Sequence, residues 1–377
     1  MRKFVFDIDI VISCNLRCPC CPQGNIKNFR LPRGFMEPEL LVQIIRKAVS
    51  ESQVERISLF SWGEPLLHPR LHELIRIVRE AGAVCYLSSN LNILPNVDAI
   101  MAENPDSFRI SLSGFSQEVY GYTHRGGDIE RVKQHMIELA NAKKRNKATT
   151  RIYVYYHRYR HNLKEEPLMR RFATDLGFDF QPVWALFFPV EKILAYLGGE
   201  NYGFAVTDED HDLINHLAVP LEEALAVVRD YRSQPCLLRD EAISLDFQGN
   251  VQLCCGIFDP RQFTLGHYLE LSLEEIQQIR ESHPMCDRCM AHGVHRYLGQ
   301  GLLEFSELAL AHIPQEDINL LDLHREISQM RLRRRLAECY DKFFGRVFRP
   351  SQRKLMSDWY LRMEQYSSRL HRGKGER

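Results

Sequence analysis

The sequence predicts an α/β fold: a partial (β/α)6 TIM-like barrel, then a small β-hairpin and helical segment, then C-terminal helices. Three observations carry that expectation. Short apolar runs alternate with amphipathic helical stretches through the first half of the chain, which implies parallel strands joined by crossover helices. Six such units fall short of the eight that close a barrel, so the barrel is expected to stay open. Past Gly198 the rhythm changes to a cysteine-bearing hairpin pattern and then to helices rich in Leu and Arg.

Taken in order, the strands are expected at 4–12, 56–60, 83–88, 107–112, 150–156 and 179–184, and the helices at 37–49, 69–81, 97–102, 129–144 and 165–176. In such an array the chemistry sits at the C-terminal ends of the strands. The expected organisation is a barrel over 1–190, a connecting helical segment over 191–233, a second cysteine-bearing domain over 234–301 and a basic helical extension over 302–377. Within the third part, AISLDFQGNVQLCCG reads as a hairpin whose Gln248-Gly249-Asn250 suits a tight turn. No repeat of 20–50 residues is visible.

Composition narrows the class. Hydrophobic residues at 45% and charged residues at 26% are those of a soluble globular protein, and 377 residues suffice for one large or two ordinary domains. Net charge is zero and implies no polyanionic partner, although 331–377 holds 14 Lys and Arg against 5 Asp and Glu. The opening apolar run is interrupted by Asp7 and Asp9, too short and too charged for a signal peptide or a membrane span. A cytoplasmic protein is therefore expected, in which eleven cysteines do not form a disulfide set. Most of them fall into two separated groups, the layout of metal ligands.

The first group, Cys14-Asn-Leu-Arg-Cys18-Pro-Cys20-Cys21, directly follows a strand. A loop there can wrap three sulfurs around one cluster and leave one iron without a protein ligand. Spacing alone leaves a structural zinc site open, since thiolates bind zinc readily. Further motifs follow in order: Ser61-Trp62-Gly63-Glu64-Pro65 after the second strand, Leu87-Ser88-Ser89-Asn90 at the third, and Ile110-Ser111-Leu112-Ser113-Gly114 at the fourth with Arg125-Gly126-Gly127-Asp128 downstream. Each is weak alone, because glycines mark turns and an Asn after a strand is usually a cap.

Together they resemble the radical S-adenosylmethionine superfamily over about residues 5–185. The resemblance implies a 4Fe–4S cluster on Cys14, Cys18 and Cys21. It implies S-adenosyl-L-methionine on the open iron, with Gly63, Glu64, Asn90, Ser111 and Arg125 as its contacts. Two departures stand out: Trp62 replaces the first glycine of the family's Gly-Gly-Glu-Pro motif, and Cys20 occupies a position often aromatic in the family. Cys20 is read as a small packing residue, with a spare ligand as the alternative.

The second group, Cys236, Cys254, Cys286 and Cys289, resembles the shortened auxiliary-cluster domain called Twitch, a trimmed form of SPASM. It implies a second, fully ligated 4Fe–4S cluster suited to moving electrons, while a zinc ribbon remains open on spacing. Strand alternation points Cys255 away from its neighbour Cys254. Cys85 and Cys339 are read as packing. Cys255 or Cys20 as a hydrogen-atom donor to a substrate radical is the route to epimerisation.

The substrate is less legible. The chain begins almost at its first strand, without a leader-binding winged-helix module. The expected substrate is therefore a small polar metabolite of the sugar, aminocyclitol or nucleoside type, dehydrogenated or epimerised. A peptide or protein maturase is the alternative, and a zinc-stabilised nucleic-acid-binding protein a remote one. His157, Arg158 and Tyr159, at the end of the fifth strand, are the candidate catalytic residues, with Arg158 and Arg160 as candidate phosphate ligands. Trp184 and Glu191 are candidates by position only. The basic tail, with Arg331, Arg333, Arg334, Arg335, Arg346, Arg349, Arg353 and Lys354 among Phe343, Phe344, Phe348 and Trp359, is read as helices with solvated Arg faces and aromatic packing faces. A contact to nucleic acid, an anionic membrane face or an acidic partner is the alternative. An electron donor such as flavodoxin or ferredoxin is the expected partner, with no membrane span and no nucleic acid.

Overall fold

Alternation along the strands sets the architecture. In β1 (Lys3–Ile8) Phe4, Phe6 and Ile8 are buried, while Lys3, Val5 and Asp7 face the other side and are half-buried. The division recurs through most of β4 (Ser107–Leu112) and in parts of β3 (Val84–Ser89) and β5 (Arg151–Arg158), and is weak in β2 (Gln53–Ser58) and β6 (Asp179–Trp184). One face carries the apolar residues and receives the crossover helices. Leu41, Ile44 and Ile45 of the helix Pro38–Glu51 pack there, as do Val132, Met136 and Leu139 of the helix Ile129–Arg145. Each such side chain contributes about 1.5–3 kcal/mol on full burial. The opposite face keeps Asp7, Ser58, Tyr86, Arg109 and Tyr153 for a cavity.

The chain was described from a computed structural model, which defines residues 1–26, 33–198, 202–299, 302–318 and 320–344. Strands β1 to β6 are parallel and in sequence order, as the strand–helix alternation predicts. The hairpin strands β7 (Ala242–Leu245), β8 (Asn250–Gln252) and β9 (Thr264–His267) do not form a sheet of their own. Strand β7 pairs parallel to β1, with Val5 opposite Ala242 and Ile8 opposite Leu245, which extends the array to nine strands in the order β6-β5-β4-β3-β2-β1-β7-β8-β9. Met1–Asn319 is accordingly one compact unit, and Leu320–Arg377 forms a second, whose described part is the helix Leu320–Phe344. The hairpin turn holds Gly249 at φ +82°, and the Asp246 carboxylate accepts from the Gln248 and Asn250 N–H groups, both at 2.9 Å.

The first strand is shorter than the expected 4–12. Past Ile8 the Asp9 N–H still donates to the Leu245 carbonyl of β7 at 2.8 Å, while its carboxylate accepts from the backbone of Trp62 and Gly63, at 3.3 and 3.1 Å. Of the tail, Arg346, Phe348, Arg349, Arg353, Lys354 and Trp359 lie outside the described residues. Among the described residues no helix is long and apolar enough to cross a membrane.

Candidate cofactor and active site

The loops that leave β1, β2, β3 and β4 at their C-terminal ends are stitched to one another. The Glu64 N–H donates to the Ser13 carbonyl at 2.9 Å, and the Glu64 carboxylate accepts from Leu66 N–H at 3.0 Å and from Asn90 N–H at 2.9 Å. The Asn90 amide then donates to Asn15 Oδ1 at 2.9 Å and lies 3.7 Å from Cys14 Sγ, which also accepts from Leu16 N–H at 3.4 Å. Glu64, Asn90 and Cys14, separate in sequence, form one chain of contacts. Arg17 N–H donates to the Arg125 carbonyl at 2.9 Å and ties the fourth segment to the cysteine loop.

Gly63 is required by close approach. A Cβ there would stand 1.4 Å from the Val11 carbonyl oxygen, a backbone atom that cannot rotate away. Gly63→Ala is therefore expected to displace the loop and reduce S-adenosylmethionine binding by at least tenfold, read by equilibrium dialysis. Affinity equal to wild type would mean that this loop does not shape the site. Burial pushes the Asp9 carboxyl up to about 7, against the opposing Gly63 and Trp62 N–H groups. Glu64 is likewise raised by burial to about 7, against the Asn90 and Leu66 N–H groups.

The thiols of Cys14, Cys18 and Cys21 sit on one loop, within electrostatic reach of one another, and burial pushes all three up. Metal ligands must lose those protons, so loading the site releases them. Cys20 is turned to the Tyr159 hydroxyl, which fits the packing role. Among the described residues no three His, Cys, Asp or Glu side chains converge tightly enough to hold a single metal ion.

The second group also comes together. Cys236, Cys254, Cys286 and Cys289 line one small apolar pocket with Val190, Leu253, Met285 and Leu298. Four soft donors on an apolar lining suit an iron–sulfur cluster, whose several irons do not require the thiols to converge on one ion. The Cys255 thiol and then the Gly256 N–H, at 3.4 Å, lower the Cys254 thiol against its burial. Cys255 does not line this pocket, but its thiol stays in contact with that of Cys254 and does not point away from it as strand alternation predicts, because both residues lie past the end of β8. It opens instead onto two neighbouring cavities on the barrel side, of about 260 and 320 Å³, which share Ser61.

One residue missed in the sequence, Arg280, and one candidate by position, Glu191, belong here. Arg280 is fully buried, donates to the Ala242 carbonyl at 2.6 Å and the Gln252 carbonyl at 3.0 Å, and lies in the field of all four thiols except Cys289. Its signal was an arginine at helical spacing with Leu273, Ile276 and Gln277, all on the buried face of the helix Leu273–Glu281. Glu191 is fully buried, and its carboxylate accepts from Phe258 and Asp259 N–H at 2.8 and 3.1 Å. It pins the segment after Cys254 and does not contact the cavities. Trp184 donates its indole N–H to Ser306 Oγ at 3.0 Å and packs.

The candidate catalytic trio divides. His157 faces the cavity side of β5, 5.2 Å from Tyr155 ring to ring, and burial, with His124 and Arg109 nearby, pushes it down to about 3. It is neutral at physiological pH. Arg158 is a correction: alternation turns it to the helix face, where it is 3% exposed and ion-paired with Glu166 at 2.6 Å. Tyr159 is buried, with its hydroxyl against Cys20. Arg160 donates to the Leu217 carbonyl at 2.8 Å, so the two arginines do not form a phosphate clamp. Ser111 lies on the cavity side, its carbonyl accepting from the His124 ring. The Arg125 side chain is half exposed and paired with Glu209, and only its backbone touches the cysteine loop.

An open parallel half-barrel with three thiols in the loop after its first strand, tied to the ends of the next three strands, defines an α/β cofactor-binding fold. Residues 9–165 match the Radical SAM superfamily family model, and the chain carries that domain. It is 24% identical over 186 residues to a tungsten-containing aldehyde ferredoxin oxidoreductase cofactor-modifying protein of Pyrococcus furiosus, covering 47% of this chain and 49% of that one. It is 30% identical over 129 residues to a GTP 3′,8-cyclase of Limosilactobacillus fermentum, covering 33% and 38%. The chain thus spans about half, or less, of the length of these relatives. The crystal structure of Streptococcus suis SuiB bound to S-adenosylmethionine shares the fold at TM-score 0.51 and 14% identity, covering 76% of this chain and 67% of that one.

Proposed function

We propose that the protein is a radical S-adenosylmethionine enzyme that abstracts hydrogen from a small polar metabolite. The supporting observation is the Glu64–Asn90–Cys14 chain of contacts, which joins three motif segments at one end of the barrel. When bound, a reduced 4Fe–4S cluster supplies the electron that cleaves S-adenosylmethionine and yields the 5′-deoxyadenosyl radical. Cys14, Cys18 and Cys21 would hold that cluster, with the Leu16 N–H and the Asn90 amide turned toward Cys14 Sγ. The Gly63 backbone and Glu64 shape the floor where S-adenosylmethionine would lie, and Ser111 faces the cavity beside it.

Cys236, Cys254, Cys286 and Cys289 would hold the auxiliary cluster, with the Arg280 charge offsetting their thiolates. Cys255, which lines both cavities, would exchange a hydrogen atom with a substrate there. Cavities of this size favour a small molecule over a peptide. A flavodoxin or ferredoxin would supply the electron.

Anaerobically reconstituted, reduced protein is expected to carry about eight irons and to release 5′-deoxyadenosine from S-adenosylmethionine. Zinc without iron and no nucleoside product would refute the reading. The double variant Cys254→Ala/Cys286→Ala is expected to lower the iron content to about four. Iron unchanged in that variant, with zinc lost instead, would make the second group a zinc site.

A further inference from the structure

Arg109 sits in the middle of β4 on the cavity side, where a charged residue has no structural reason to be. Its guanidinium carbon lies 4.6 Å from the Phe60 ring centroid and 4.8 Å from that of Tyr155, so the group is held between two aromatic rings. Its Nε donates to Ser88 Oγ at 2.8 Å. Among the described residues its two terminal nitrogens have no hydrogen-bond partner, and they have the cavity of about 320 Å³ before them.

A second guanidinium lines the same cavity. Arg56 lies over the Tyr86 ring at 5.0 Å, its Nε is buried without a partner, and its nearest acid is Asp7 at 3.6 Å. The lining thus holds two guanidinium groups against one carboxylate, with Ser58, Ser61, Tyr86 and Tyr153 as hydroxyl donors. Asp9 and Asp246 lie in the neighbouring cavity. Burial pushes the Arg109 pKa down, and Tyr153, Tyr155 and Asp7 offset that only in part.

We propose that this cavity is an oxyanion subsite in which Arg109, oriented by Ser88, Phe60 and Tyr155 and assisted by Arg56, binds a carboxylate or phosphate of the substrate. A rigid guanidinium with free terminal N–H groups matches the two oxygens of such a group. The anion would lie on the cavity surface that Cys255 also lines, which orients the rest of the molecule between the arginine and the thiol. The substrate is therefore an anionic small molecule rather than a neutral sugar. This inference rests on the reading of the cavity as the substrate site of a radical enzyme.

The test is calorimetric titration of the reconstituted full-length protein with inorganic phosphate and, separately, with acetate. Wild type is expected to bind one of them saturably, the tighter identifying a phosphorylated or a carboxylated substrate. Arg109→Gln is expected to weaken that binding at least tenfold. Arg109→Lys, which keeps the charge and loses the fork, is expected to weaken it several-fold and serves if Arg109→Gln does not fold. No saturable binding by wild type, or equal binding by the variants, overturns the proposal. Wild-type 5′-deoxyadenosine formation is scored separately. Its failure sinks the enzyme reading, whereas failure of the titration sinks only the subsite.

Discussion

Replacing Cys14, Cys18 and Cys21 together by alanine is expected to lower 5′-deoxyadenosine formation on the order of 10³-fold or more, because the C–S bond then has no local electron source. Iron content should fall from about eight to about four, since the auxiliary group is untouched. The fold should survive. The three sulfurs stand on a loop beyond β1, whereas Phe4, Phe6 and Ile8, which anchor that strand, are buried independently of it. Iron analysis, product chromatography and circular dichroism on one preparation separate loss of the cluster from loss of the fold. Full activity in the triple variant would dismiss this loop as the radical source.

Lys192→Met is expected to give the largest loss of stability. The Lys192 ammonium lies 2.7 and 2.8 Å from the two oxygens of Asp210, and the two side chains are 2% and 1% exposed. Removing the cation leaves a buried carboxylate uncompensated, which costs about 3–5 kcal/mol. Asp210 also accepts from Thr207 N–H and Oγ1, both at 2.8 Å, and faces the Asn25 amide at 3.4 Å. Asn25 in turn donates to the Pro19 carbonyl at 2.6 Å, inside the first cysteine loop. The loss should therefore appear twice, as a lowered unfolding temperature and as faster release of iron to a chelator. Lys192→Met/Asp210→Asn removes the stranded charge and should recover more than half of the stability. A single variant as stable as wild type would show that the pair is not charged in the fold.

The parallel half-barrel and its strand-end motifs were legible because both rest on local patterns. Apolar alternation in β1 and β4 and the spacing of Cys14, Cys18 and Cys21 need no knowledge of distant contacts. What escaped was non-local. Nothing in Ala242–Leu245 says that it will lie parallel to β1, so the hairpin read as a separate domain. Nothing around Glu191 says that its carboxylate will pin the backbone at Phe258. The error at Arg158 was avoidable in principle. Three consecutive residues on a strand cannot share a face, and alternation from Tyr153 and Tyr155 selects His157 and rejects Arg158. The same alternation on β4 would have singled out Arg109, two residues before the Ser111 that the motif had already marked.

The proposed chemistry requires one iron that Cys14, Cys18 and Cys21 would leave open to S-adenosylmethionine. Low-temperature electron paramagnetic resonance of the reduced protein, before and after S-adenosylmethionine is added, tests it directly. Two reduced-cluster signals are expected, of which one shifts on addition and is the one missing from the Cys14, Cys18 and Cys21 variant. A spectrum that S-adenosylmethionine leaves unchanged would contradict it.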